Sequence, residues 1–274
     1  MRIRTTLGAA VGAALVGAAM LLPGAQAAPA PPSHHTLIPS RKGEILPATG
    51  ATVTSLNWGG YAVTAQPSQP ITAVASSFTV PAVSPAGVGF AATWAGIGGY
   101  NTQDLIQAGV AEQNPLLGDY AWYEILPASE TQITGCAGDP NCTVNPGDQV
   151  SVDIHQLTAG HWQVDMADAG HWTYSTQLAY TSTNSSAEWI LEAPSLAGVQ
   201  TVLPFMNDTP FGPGNTFSVN GGGAQPIAAG NPDTIQLVGV GPVAEGQPSA
   251  LTNGDTFTAC AYSVGCPSAI PLGI

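Results

Sequence analysis

Short runs of β-forming residues, cut at close intervals by proline, glycine and asparagine, restrict this chain to sheet architectures. Val, Ile, Thr, Tyr, Phe and Trp are concentrated in Trp58–Thr64, Ala73–Val80, Phe90–Ile97, Leu105–Ala111, Ala121–Leu126 and Gln149–Leu157. The same holds for His161–Asp168, Trp172–Tyr180, Ala187–Glu192, Val199–Phe205, Thr234–Val240 and Thr256–Val264. No helical period interrupts them, and 33 Gly and 24 Pro supply the punctuation. An all-β fold, an antiparallel β-sandwich or barrel, follows. Thr158-Ala159-Gly160 joins one hairpin and Ala169-Gly170 leads into the next strand. Asn220–Gly230 and Phe205–Asn215 read as flexible loops.

The N-terminus sets the compartment. Arg2 and Arg4 precede an apolar run, Leu7 to Leu22, and Ala25-Gln26-Ala27 is a small-x-small cleavage signal. Residues 1–27 therefore read as a secretory signal peptide. The run is shorter than the ~20 residues a membrane span needs, and no later segment is long and apolar enough. The mature protein is expected to be secreted, extracellular and free of membrane. Residues 28–50 lack periodicity and read as a pro-segment or linker, with Arg41-Lys42 as a processing point; residues 51–274 form one β-sandwich domain.

All four basic residues, Arg2, Arg4, Arg41 and Lys42, precede position 43, and all 17 carboxylates follow it. A domain without Lys or Arg makes no ordinary salt bridge, and at neutral pH its carboxylates repel one another. Protonation relieves that repulsion, so the fold should gain stability as pH falls toward the carboxyl range. The same charge excludes nucleic acid and anionic membrane as partners. Four cysteines in an exported chain imply two disulfides; Cys136–Cys142 and Cys260–Cys266 are favoured because each pair flanks a short loop.

Leu105–Pro127 holds the candidate chemistry. Gln107 precedes the small pair Ala108-Gly109, and Glu124 sits within Trp122-Tyr123-Glu124-Ile125-Leu126. Period-two alternation places Trp122, Glu124 and Leu126 on one strand face. Such a face desolvates a carboxylate and raises its pKa, as acid–base catalysis requires; an edge-strand position facing solvent is the competing reading. No GxSxG, HExxH, DTG or DSG sequence is present. His155, His161 and His171 fall on or beside hairpin strands and read as surface or cross-strand residues, although His155 and His161 could face each other across the turn. No metal or cofactor is expected.

Five stretches together resemble the glutamic peptidases, the eqolisin family of secreted acid endopeptidases. They are Asn57-Trp58-Gly59-Gly60-Tyr61, Trp94-Ala95-Gly96-Ile97-Gly98-Gly99, Leu105-Ile106-Gln107-Ala108-Gly109, Tyr120-Ala121-Trp122-Tyr123-Glu124 before Pro127, and Ala187-Glu188-Trp189-Ile190-Leu191-Glu192. The resemblance implies a concanavalin-like jelly-roll sandwich of two antiparallel sheets of about seven strands. It implies a catalytic Gln107 and Glu124 on a concave face; Gln103 and Gln113 lack the following small residue and Gly. Trp58, Trp94 and Trp122 become candidate pocket walls, with Tyr61 beside Trp58, for a polypeptide substrate bound by a monomer. Two departures stand out: Gly98 where fungal members commonly have Asp, and Ile125-Leu126 where they have aromatics. These put the pH optimum and the substrate fit in question. A rival reading keeps the sandwich but makes it a non-catalytic carbohydrate- or cell-wall-binding module, its tryptophans stacking on sugar rings.

Overall fold

A computed structural model describes residues 37–38, 52–196, 198–239 and 244–262. The expected signal peptide lies outside these residues, as does most of 28–50; within the latter, Leu37–Ile38 runs antiparallel to Ser195–Leu196.

The strands that carry the architecture are β1 (Trp58–Thr64), β2 (Ile71–Thr79), β3 (Ala91–Gly98), β4 (Leu105–Glu112), β5 (Asp119–Ile125) and β6 (Gln149–Thr158). They continue with β7 (His161–Asp168), β8 (Trp172–Ala179), β9 (Ser186–Glu192), β10 (Thr216–Val219), β11 (Asp233–Leu237) and β12 (Phe257–Ala261). One layer has the order β11–β1–β9–β3–β4–β5, antiparallel at every step. The other has the order β10–β2–β6–β7–β8, again antiparallel throughout. Thr209–Phe211 bonds to both β2 and β12, and Gly246–Pro248 to both β12 and β11. Through these links main-chain pairing joins 18 strands, of which the two antiparallel layers are the larger parts. Among the described residues the only helical segment is a 3-10 turn, Ile227–Gly230.

In β6 and β7 alternate residues are buried, Val150, Val152 and Ile154 against Trp162, Val164 and Met166, as expected of strands covered on one face. By contrast, β3, β4 and β9 are buried at every position, so their layer is covered on both faces. Its inner face contributes Ile97, Ile106, Val110 and Trp189 to a core shared with Val74, Phe78, Val152 and Trp162 of the other layer. A separate cluster, including Trp58, Trp94, Tyr100, Leu105, Trp122 and Ile190, covers the opposite face.

Burial also explains where the sequence expectations shift. Phe205–Asn215 is not simply a loop: Phe211 is fully buried and stacks on Phe257 at 4.5 Å, which draws Thr209–Phe211 into the pairing. Within Asn220–Gly230, Ile227 is likewise fully buried. Conversely, the strand expected over Val199–Phe205 is paired only at Val199–Gln200. Cys136 and Cys142 are joined, with Cα atoms 5.4 Å apart. The second expected bridge involves Cys266, which lies outside the described residues.

Candidate active site

Strand register builds the site. Across the first layer, Glu188, Gly96, Gln107 and Glu124 stand opposite one another in a single row, and Ile190, Trp94, Gly109 and Trp122 form the next. Alternation turns Gln107, Glu124, Trp94 and Trp122 to the face away from the shared core. Gln107 and Glu124 come within hydrogen-bond reach: Gln107 Nε2 donates to Glu124 Oε2 at 2.6 Å. Both residues are buried, and Gln107 Oε1 and Glu124 Oε1 have no partner. Two glycines permit this packing. A Cβ on Gly109 would stand 2.1 Å from the Thr93 carbonyl oxygen, and one on Gly96 would stand 3.1 Å from Gln107 Cβ.

Burial pushes the Glu124 carboxyl up to about 9, against the hydrogen bond from Gln107, while Glu192 and Glu130 add like-charge repulsion. Glu192 is the functional candidate that sequence reasoning left aside. Its Oε2 accepts from Trp94 Nε1 at 2.8 Å, and its Oε1 accepts from Asn57 Nδ2 at 3.1 Å. Burial raises Glu192 to about 7, with the Asn57 and Trp94 donors opposing it. The signal was present in Ala187–Glu192: alternation puts Glu188, Ile190 and Glu192 on one face, two acids in an otherwise apolar strand.

Trp58, Trp94 and Trp122 all belong to the cluster on this face, with Trp58 and Trp94 edge to face at 5.0 Å. Tyr61 does not join them, which corrects the expectation that it lines the cleft. It lies three residues from Trp58 and so on the other strand face, where it packs edge to face on Phe257 and its hydroxyl donates to the Ser249 carbonyl at 2.6 Å. Of the departing pair Ile125-Leu126, only Leu126 packs with the cluster on the dyad face; Ile125 packs into the shared core. Beside Gly98, the carboxylate of Asp104 lies 3.3 Å from where a Cβ would stand, so an acid occupies that neighbourhood from another position.

His155 stands opposite Gln163 and His161 opposite Thr158, so the two do not face each other. Instead Asp153, His155 and Asp165 approach one another on the second layer, and Asp148, Asp168 and His171 form a similar group, each with ligand atoms within 4.8 Å.

Among the solved structures that resemble this fold are three peptidases. Scytalido-glutamic peptidase with a peptide-based transition state analog matches at a TM-score of 0.60 and 17% identity, covering 75% of this chain and 98% of that one. SCP-B, an eqolisin family member in complex with the tripeptide Ala-Ile-His, matches at 0.58 and 15%, with 75% and 98% covered. Aspergilloglutamic peptidase from Aspergillus niger matches at 0.53 and 16%, with 64% and 99% covered. Identities this low speak for the fold alone. No curated protein matches the sequence. Residues 56–218 do match the model of the Peptidase A4 family, and that span contains Trp58, Trp94, Gln107, Trp122, Glu124 and Glu192; the chain belongs to this family of glutamic peptidases and is a peptide-bond hydrolase.

Proposed function

We propose that this chain is an exported, acid-acting endopeptidase in which Gln107 and a buried carboxylate of the same face activate the water that attacks the scissile carbonyl. The observation that supports it most is the 2.6 Å contact between Gln107 and Glu124 on a face that also holds Glu192 and three tryptophans. Gln107 has the two groups the reaction asks for: an NH₂ that donates to the developing oxyanion, and an Oε1 that accepts from the attacking water. On the first reading Glu124 takes a proton from that water and returns it to the departing amine.

One observation favours a second assignment of the proton transfer. Glu192 receives an N–H on each oxygen, the arrangement that stabilises a charged carboxylate. On this reading Glu192 takes the proton and Glu124 orients the Gln107 amide.

Cleavage of a denatured protein at pH 3–4, with pepstatin present, by Gln107→Ala, Glu124→Gln and Glu192→Gln decides between them. Whichever glutamate variant abolishes turnover identifies the base, and cleavage by all three at the wild-type rate would sink the reading. The rival binding module is disfavoured by the family membership, since the fold alone would suit either. The reading also takes the two layers as the family's jelly-roll sandwich, residues 1–27 as the export signal, residues 28–50 as a segment removed on maturation, and the active form as a monomer. No helix among the described residues is long and apolar enough to cross a membrane.

A further inference from the structure

The six tryptophans separate into two groups by what their indole nitrogens touch. Trp94 donates to Glu192, Trp162 to the Tyr180 carbonyl at 3.1 Å, Trp172 to the Thr143 carbonyl at 2.7 Å and Trp189 to the Ala75 carbonyl at 2.9 Å. Trp58 and Trp122 complete no hydrogen bond through Nε1, and the Trp58 indole already leans toward Glu192. That leaves Trp122, which is 3% exposed and sits on β5 two residues before Glu124. A buried indole N–H without an acceptor is unfavourable, and buried tryptophans ordinarily find a partner.

In the adjacent register row of the same strand face, the acceptors Gln107 Oε1 and Glu124 Oε1 also lack partners. This face therefore presents one unmet donor and two unmet acceptors. A peptide unit brings the complement, a carbonyl oxygen and an N–H, and the attacking water brings two further hydrogens. We propose that Trp122 Nε1 is a substrate-binding donor that takes the carbonyl oxygen two residues along the substrate from the scissile carbonyl. Its role is thus a directional hydrogen bond to the substrate main chain, beyond a hydrophobic wall. Spacing assigns this second carbonyl rather than the scissile one or its immediate neighbour. Trp122 and Glu124 are alternate residues of one strand, about 7 Å apart, which is also the repeat of alternate carbonyls in an extended peptide. Gln107 stands directly opposite Glu124, and on the reading above it is the residue that takes the scissile carbonyl. This inference rests on the peptidase reading above.

The test replaces Trp122 with β-(3-benzothienyl)alanine, which keeps the bicyclic shape and removes only the N–H, alongside Trp122→Phe. Steady-state kinetics on a quenched fluorescent peptide then separate KM from kcat, and a thermal melt confirms folding. The expected result for the isostere is a KM raised about tenfold, which corresponds to ~1.4 kcal/mol, with kcat within about twofold and an unchanged Tm. Trp122→Phe should raise KM at least as far. A KM within twofold of wild type for the isostere would overturn the proposal. So would a fall in kcat at unchanged KM, because the donor would then serve the oxyanion. Absence of cleavage by the wild-type enzyme would instead defeat the peptidase reading on which the proposal stands, and a Trp122 effect seen only in active wild-type background separates the two failures.

Discussion

Replacing Glu124 and Glu192 together by Gln should flatten the dependence of stability on pH. Each carboxyl has an ordinary value of 4.5 and is raised in the fold, to about 9 and about 7, with burial as the leading cause. Between those limits the folded protein keeps two protons that the unfolded chain releases. For acids raised in this way, the favourable contribution is fully present below the unfolded value and is lost as pH rises through the folded one. Each such proton changes stability by ~1.4 kcal/mol per pH unit, so the pair removes up to about 4 kcal/mol between pH 5.0 and 6.5. For a domain of this size 1 kcal/mol moves Tm by roughly 2–4 °C, so these two groups lower it by about 8–16 °C over that interval. Thermal unfolding followed by circular dichroism at half-unit steps measures this directly. The double variant should lose that part of the slope and each single variant about half of it, while Glu112 and Glu188, also raised by burial, keep a residual slope in all of them. The reasoning is refuted if the double variant's Tm falls as steeply as that of the wild type, or if the wild type melts higher at pH 6.5 than at pH 5.0.

Other outcomes follow from single contacts. Gln107→Ala should lower kcat by about 10²–10³ through loss of an oxyanion donor, as steady-state assays at acid pH would register, and should also cost about 1–3 kcal/mol of stability because buried Glu124 loses its donor. Tyr61→Phe should cost about 1–3 kcal/mol of stability by stranding the buried Ser249 carbonyl, yet leave kcat/KM within about twofold; a large kinetic effect would return Tyr61 to the cleft. Gly109→Ala should destabilise by about 3 kcal/mol or more, because its methyl would stand 2.1 Å from the Thr93 oxygen, and urea unfolding would measure it. Phe211→Ala should cost about 3–5 kcal/mol although its segment reads as a loop, and a loss below 1 kcal/mol would contradict its place in the core.

Local pattern made the strands legible. Residues such as Val150, Val152 and Ile154 alternate with polar neighbours, and Gly-containing turns bound them, so β6, β7 and β8 lie where that pattern puts them. The charge asymmetry is equally a property of composition, and it pointed to acid stabilisation through repulsion; the structure assigns the leading cause to burial instead. Alternation already put Tyr61 and Trp58 on opposite faces, so the misplacement of Tyr61 was avoidable from sequence. Phe205–Asn215 was less readable, because its Gly and Pro signal a loop while one buried ring, Phe211, commits its centre to the pairing.

Gln107 and Glu124 come from adjacent strands 17 residues apart, so a short-range motif was enough to nominate them. Alternation alone marks Glu192 as an acid in an apolar strand, but only pairing joins it to the site, because its partner Trp94 is 98 residues away along the chain and β9 must insert between β1 and β3 to bring them together. A strand's own alternation says which residues share a face, and that much is written in the chain. Which face meets the second layer, and which acids are thereby stripped of water beside an amide, depends on distant strands closing over them; tertiary structure alone made that choice.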